Sequence, residues 1–248
     1  MRDPRHFEAL ADGYAAARPP YPPALWDAIR DLGVLQAGRR AVDLGAGSGQ
    51  ATGPLLAAGL HVTAVEPGPR LAEQIRARHP AATVIVGRAE ELDLPEESVD
   101  LAVVATAIHW MDLSVLLPKL ERMLTRDSVL LVWRTVFGDP DAPVTPFRER
   151  IAKIVQDRHV ASSPGADAED PAATAADLTA SGLFDIEITR TFRWSIDLNE
   201  EQVRGLFTTF SDWTPEEAER AAAAVRELGG TVREAYTSWL IALVRSVR

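Results

Sequence analysis

The 248-residue sequence contains no cysteine. That single absence removes disulfides, thiolate metal ligation and cysteine nucleophiles together. No apolar run approaches ~20 residues, so nothing in it is long enough to span a bilayer. The Met1–Leu10 stretch is polar and lacks the apolar centre of a secretion signal, which predicts a cytoplasmic protein with no membrane partner. Lysine- and arginine-rich runs are missing as well. Thirty-six acidic residues stand against 26 basic ones, for a net charge of −10. Such a surface repels phosphate backbones, so no nucleic-acid partner is expected. No His/Asp/Glu cluster has ligand spacing, so no metal is expected, and no internal repeat is visible.

What is present is ordinary for a globular chain: 46% hydrophobic and 25% charged residues. The length suits a single domain over 1–248, made of one large α/β unit with a modest cap. After a proline-rich opening (Pro19, Pro20, Pro22, Pro23), a helix is predicted from Ala24 to Leu32. Strands at Ala41–Leu44, His61–Val65, Thr83–Val86, Leu101–Thr106 and Ser128–Trp133 then alternate with helices at Gln50–Ala58, Pro69–Arg78 and Leu113–Leu124. Unbroken apolar runs mark strands buried on both faces, and this alternation predicts a doubly wound, mostly parallel sheet.

The pattern changes after Trp133. Pro140, Pro143 and Pro146 break it, and Phe147–Arg158 reads as a helix. Ala161–Pro171 reads as a loop. Asp185–Ile196 alternates as a strand with a slip near Arg190, read as a bulge. Helices at Glu200–Phe210 and Pro215–Leu228 follow, ended by Gly229-Gly230, and Ala235–Val244 reads as the last strand.

The segment richest in chemistry is Val42-Asp43-Leu44-Gly45-Ala46-Gly47-Ser48-Gly49, between a strand and a helix. Glycines there let the backbone take positive φ and approach a ligand without a Cβ in the way. A dinucleotide fingerprint, G-x-G-x-x-G, would need glycine at position 50, which is Gln50. A P-loop would need a following lysine, and none is near. The spacing therefore suits an adenosyl ligand without phosphates. Glu66 ends the second strand, where a carboxylate can accept hydrogen bonds from both hydroxyls of a ribose. Asp43 is placed to meet an ammonium, directly or through water. Plainer roles remain beside these: a surface carboxylate before the Pro67-Gly68 turn, and a brace for the loop.

Asp43–Gly49 together with Val65-Glu66-Pro67 resembles the class I S-adenosylmethionine-dependent methyltransferases. Three further pieces are similar to a small-molecule group related to the trans-aconitate and ubiquinone-pathway enzymes. These are Phe7…Tyr14…Arg18-Pro19…Tyr21-Pro22, then Gly87-Arg88-Ala89-Glu90 before Leu94-Pro95, then Ala105-Thr106-Ala107-Ile108-His109-Trp110. The resemblance covers residues 7–134 well and 135–248 in outline. It implies a Rossmann-like seven-stranded sheet, mostly parallel with an antiparallel last strand, and a small helical cap. It also implies an N-terminal lid over 1–32, a cofactor core over 40–134, and substrate-side insertions over 135–182 and 197–230. The implied cofactor is S-adenosylmethionine, held by Tyr14, Arg18, Tyr21, Asp43, Gly45, Ala46, Gly47, Gly49, Glu66, Pro67, Ala89, Glu90 and Thr106. Many relatives carry Asp where this chain has Arg88, so adenine must rely on the backbone of Ala89 and Glu90. Thr125-Arg126-Asp127-Ser128 replaces a Pro-Gly-Gly turn far from the site.

Methyl transfer needs alignment and exclusion of water, and in some cases a base. His109, just past the fourth strand, is the candidate base, or else a residue that positions substrate or orients its loop. Tyr14, His109, Trp110, Phe137 and Phe210 are the candidate substrate contacts. Phe207, Phe210 and Trp213 are also spaced as plain helix packing requires. The expected substrate is a small molecule of secondary metabolism, and the expected assembly is a monomer or homodimer. Two alternatives stay open: a protein that uses the cofactor structurally or for a non-methylating reaction such as cyclisation, and an NAD(P)-binding oxidoreductase.

Overall fold

The computed structural model describes residues 17–158, 169–210 and 212–246. Tyr14 and most of the expected Ala161–Pro171 loop lie outside these residues. Seven strands form one sheet: β1 (Arg40–Leu44), β2 (His61–Glu66), β3 (Thr83–Val86), β4 (Val99–Ala105), β5 (Leu124–Phe137), β6 (Phe184–Asn199) and β7 (Thr231–Arg245). Their order is β3-β2-β1-β4-β5-β7-β6. β1 to β5 pair in parallel, while β7 runs antiparallel between β5 and β6. The doubly wound sheet with an antiparallel last strand is thus present as the sequence predicts.

The helices are α1 (Pro23–Asp31), α2 (Thr52–Ala57), α3 (Pro69–Arg78), α4 (Leu113–Met123), α5 (Pro146–Gln156), α6 (Pro171–Thr179), α7 (Glu200–Thr208) and α8 (Pro215–Glu227). Most are short, and helices of this length are marginal alone. Their apolar faces hold them. α4 buries Leu116, Leu117, Leu120 and Met123 on one side of the sheet, among Val104, Val132 and Ile241. α1 buries Leu25, Ala28 and Ile29 on the other side, among Leu131, Trp133 and Leu240. Each such buried aliphatic side chain contributes about 1.5–3 kcal/mol, so packing outweighs local propensity. A third cluster joins α5, α7 and α8 to the beginning of β7, with Phe147, Leu206, Phe207, Val225 and Tyr236 inside it.

Several expected boundaries move, each for a physical reason. The helix expected at Gln50–Ala58 begins only at Thr52, because Gly49, at φ +86°, keeps the chain turning. β5 runs beyond Trp133 to Phe137 because β7 pairs with it there, Phe137 opposite Tyr236. β7 correspondingly starts at Thr231, four residues before Ala235. The bulge expected near Arg190 lies instead between Ile186 and Ile188. Arg190 stays in phase as an exposed residue of the edge strand, where charge blocks further pairing. Helix α6 is an addition to the sequence reading. Its Asp170 carboxylate caps the amide of Ala172, proline stands at its start, and Thr174 and Leu178 are its buried residues.

The sheet order places the site. From β1 the chain moves outward to β2 on one side, and β4 lies on the other. The loops after β1 and β4 therefore diverge at the carboxyl ends of adjacent strands and leave a crevice between them.

Candidate functional site

The loop after β1 turns on three glycines, Gly45 (φ +67°), Gly47 (φ +58°) and Gly49 (φ +86°). At Gly45 a Cβ would come within 2.7 Å of the Ala107 Cβ, in the loop after β4. Glycine is thus what lets the two walls of the crevice meet. The amides of Gly45 and Ala46 donate to the Val65 carbonyl at 2.9 and 3.1 Å, which ties the loop to the end of β2.

Glu66, 6% exposed, is the hub of that tie. Its Oε2 accepts from the Gly47 amide at 2.8 Å and its Oε1 from the Gly68 amide at 2.9 Å. Each carboxylate oxygen has two lone pairs, so the group can serve more than one donor. Pro67 beside it is exposed. Asp43 is fully buried between Ala64 of β2 and Val103 of β4. Its Oδ2 accepts from the Thr52 hydroxyl at 2.6 Å, while Oδ1 has no hydrogen-bond partner among the described residues. Burial pushes its pKa up to about 6, against the opposing pull of the Thr52 hydroxyl and amide. The Ser48 hydroxyl nearby in the chain is likewise buried and unpartnered among the described residues.

After β3 a 3₁₀ turn, Ala89–Glu91, places the segment expected at adenine. Ala89 is buried. Its carbonyl accepts from the Leu92 amide, and the Glu90 carbonyl accepts from Lys119 Nζ at 2.6 Å. Arg88 folds onto Glu90 in an ion pair of 2.9 Å, and Glu90 Oε1 also accepts from the Asp112 amide. Burial alone would raise the Glu90 pKa, but the Arg88 guanidinium and the Asp112 amide outweigh it and hold the carboxyl below its usual range. Glu90 thus ties this turn to the stretch after β4, with Arg88 holding its carboxylate in place.

That loop begins with Thr106 at φ +58°. A β-branched residue in the left-handed region is strained by about 1–3 kcal/mol, and such strain collects at functional sites. Its amide donates to the Trp133 carbonyl at 2.7 Å, and its hydroxyl lies 3.4 Å from the Tyr21 hydroxyl. Tyr21 sits edge-on to Trp133, which brings the N-terminal segment to the crevice. His109 is exposed, with Trp110 beside it at 4.8 Å between ring centres. Its Nδ1 lies 2.8 Å from Arg134 Nη1. A guanidinium has no acceptor, so Nδ1 must accept and the neutral ring carries its proton on Nε2.

Arg18 lies across the crevice. Its Nη2 donates to the Thr209 carbonyl at 3.2 Å, its guanidinium lies 5.0 Å from the Phe210 ring centre, and its own carbonyl accepts from Gln50 Nε2 at 3.1 Å. The segment around Arg18 is therefore clamped between the β1 loop and the end of α7. Phe137 and Phe210, 5.7 Å apart, belong to the aromatic third cluster with Phe207.

Of the residues singled out in the sequence, the structure gathers Tyr21, Asp43, the glycines, Glu66, Ala89, Glu90, Thr106, His109 and Trp110 around the carboxyl ends of β1, β2 and β4. Arg18, Phe137 and Phe210 stand on the side of the helical cluster. Sequence reasoning passed over Thr52, Arg134, Arg148, Glu234 and Tyr236. Arg134 had a signal, since it follows Trp133 at the end of an apolar strand.

Comparison with known proteins agrees with this geometry. Residues 42–132 match the family model described as a methyltransferase domain. Uncharacterized methyltransferases of Mycobacterium bovis and Mycobacterium tuberculosis are 39% identical over 130 residues, covering 52% of this chain and 52% of each relative. An uncharacterized methyltransferase-like protein of Schizosaccharomyces pombe is 30% identical over 155 residues, covering 62% of this chain and 59% of its own. The chain thus spans only about half to three-fifths of the length of the curated relatives it matches. Among solved structures, one described provisionally as a type II methyltransferase from Anaeromyxobacter dehalogenans superposes with a TM-score of 0.65 at 27% identity, over 91% of this chain and 97% of its own.

Proposed function

Since the chain carries a class I S-adenosylmethionine-dependent methyltransferase domain, we propose that it transfers a methyl group to an O, N or C nucleophile of a small molecule by in-line displacement. The observation that carries this reading is the buried, half-satisfied Asp43 at the start of a three-glycine turn whose Gly47 amide is held by the carboxylate Glu66.

These residues fit the cofactor. Asp43 Oδ1 is an acceptor in want of a donor, and the ammonium of an amino acid tail supplies one. The backbone of Gly45, Ala46, Gly47 and Gly49 lets that tail lie close. Glu66 accepts from the ribose hydroxyls and Pro67 shapes the turn after it. Adenine would lie against the backbone of the Ala89–Glu90 turn, whose Ala89 side chain is buried. When bound, S-adenosylmethionine supplies an electrophilic methyl on a sulfonium whose departure is neutral, so that side needs no acid.

The chain's remaining task is alignment and exclusion of water. In this reading the N-terminal segment acts as a lid on the 40–134 core through Arg18 and Tyr21 among the described residues, and Phe137 and Phe210 belong to a helical cap on the substrate side. Arg18 fastens lid to cap through Thr209. Thr106, held in strain against Tyr21, and Trp110 would help wall the acceptor side of the crevice. His109 is better suited to donate from Nε2 to an acceptor oxygen, and so to position it, than to remove a proton, because Arg134 occupies its Nδ1 lone pair. The nucleophile's proton is then released through its own acidity.

The test is transfer of isotope-labelled methyl from S-adenosylmethionine to a panel of phenols, alcohols, amines and activated carbon acids, read by mass spectrometry. Labelled product that disappears in Glu66→Ala supports the reading. A protein that binds the cofactor tightly and labels none of the four classes would favour a structural or non-methylating use of it.

A further inference from the structure

The start of β7 and helix α5 together bring three polar side chains into the aromatic cluster. Glu234 is 0% exposed and Tyr236 2% exposed. Arg148 of α5, a quarter exposed, reaches Glu234 with Nε 2.6 Å from Oε2. Beyond that ion pair, neither carboxylate oxygen has a hydrogen-bond donor among the described residues. Arg148 Nη2 and the Tyr236 hydroxyl are in the same position. Each buried polar group left so costs about 1–3 kcal/mol. A pair serving only the fold would be aligned and saturated.

The surroundings are built for these groups. The Arg148 guanidinium lies 3.8 Å from the centre of the Phe137 ring. Gly138, at φ +112° and beside the Arg148 guanidinium, takes a backbone conformation that other residues rarely adopt. Tyr236 stacks on Trp194 at 4.7 Å. On the same sheet face, one step toward Trp133 and the Tyr21–Thr106 contact, stand Thr135 and Ser238, 2.9 Å apart, with the Trp194 indole donating to Ser238 at 3.0 Å. Polar side chains thus follow one another along this sheet face, from Thr135 and Ser238 to Tyr236 and Glu234, beside the Phe137 and Trp194 rings.

We propose that Arg148, Glu234 and Tyr236 form the distal subsite of the acceptor pocket and bind a neutral hydroxyl group on a largely apolar acceptor molecule. The inference rests on the methyltransferase reading for its setting. A hydroxyl is the group that donates to a Glu234 oxygen while accepting from Arg148 Nη2 or Tyr236. An ammonium would face two cations, Arg148 and Arg18, against one carboxylate. An anion would leave the Glu234 oxygens without a donor.

The test uses four matched fragments on the full chain saturated with S-adenosylhomocysteine: 2-phenylethanol, ethylbenzene, 2-phenylethylamine and phenylacetate, with affinities from ligand-observed NMR titration. The alcohol is expected to bind at least about tenfold tighter than the other three, the scale of a hydrogen bond to a charged group. Glu234→Gln and Tyr236→Phe are each expected to erase that preference while leaving S-adenosylhomocysteine affinity unchanged. Tyr236→Phe serves if Glu234→Gln fails to fold. Equal binding of all four, preference for a charged fragment or the hydrocarbon, no binding of any, or a preference that survives both variants would overturn the subsite. Failure of S-adenosylhomocysteine to bind counts against the methyltransferase reading alone, and the fragment panel is then run on the cofactor-free protein.

Discussion

Asp43→Asn should change how cofactor affinity depends on pH. In the cofactor-free fold, burial lifts the Asp43 pKa to about 6, whereas an ordinary aspartate titrates near ~3.9. Below that lower value the carboxyl is protonated in folded and unfolded chains alike, and the fold incurs no penalty. As pH rises toward 6 the unfolded chain releases its proton and the folded chain keeps it, so stability is lost across this window. Above 6 the loss is complete and amounts to about 3 kcal/mol, at 1.36 kcal/mol per tenfold. An ammonium against Oδ1 reverses this, because it favours the ionised carboxylate. S-adenosylhomocysteine should therefore bind with nearly constant affinity above pH 7 and lose about tenfold between pH 7 and pH 5, as protonation competes with it. Calorimetric titration at pH 5, 6, 7 and 8 reads the curve directly. In Asp43→Asn the affinity should be lower at pH 7 and flat from 5 to 7. The cofactor-free variant should melt no lower than the parent at neutral pH, because the amide oxygen still accepts from Thr52 and the buried charge is gone. A flat curve in the parent chain, or the same slope in the variant, would refute the assignment of Asp43 to the ammonium.

Gly45→Ala places a Cβ 2.7 Å from Ala107 in a left-handed backbone. Strain of ~1–2 kcal/mol and overpacking of ~1–3 kcal/mol should lower the melting temperature by at least about 4 °C, and an unchanged melting curve would contradict the contact. Arg18→Ala removes the strap to Thr209 and should weaken S-adenosylhomocysteine binding more than it weakens folding, as seen by calorimetry beside chemical denaturation; unaltered affinity counts against a lid role. Nitrogen NMR of labelled histidine should show His109 at neutral pH with a bare Nδ1 and a protonated Nε2, and Arg134→Met should release that fixed tautomer. A protonated Nδ1 in the parent chain would return His109 to candidacy as a base.

The sheet and cofactor loop were legible because their signals are local. Uninterrupted apolar runs place β1 to β5, and the glycine spacing of 45, 47 and 49 with Glu66 at the end of β2 describes the crevice without any long-range information. Positions where tertiary pairing decides were less legible. Phe137 extends β5 because Tyr236 faces it across the sheet, and nothing within seven residues of it announces a partner a hundred positions away. The Arg148–Glu234 pair was hidden for the same reason: a helix and a strand terminus bring them together. His109 was found by its place after β4, but its tautomer depends on Arg134, from a different strand. α6 was missed although Asp170-Pro171 is a helix-start pattern, because the small polar residues before it read as a continuing loop.

The most direct measurement is calorimetric titration of the full chain and of Glu66→Ala with S-adenosylhomocysteine, with NADH as the control ligand. Saturable binding to the parent chain, at least about tenfold weaker in Glu66→Ala as the loss of hydrogen bonds to a charged group requires, with no response to NADH, is the predicted result. A folded parent chain that binds NADH, or that takes up no S-adenosylhomocysteine, would contradict the assignment of the Asp43–Gly49 loop and Glu66 to an adenosyl cofactor.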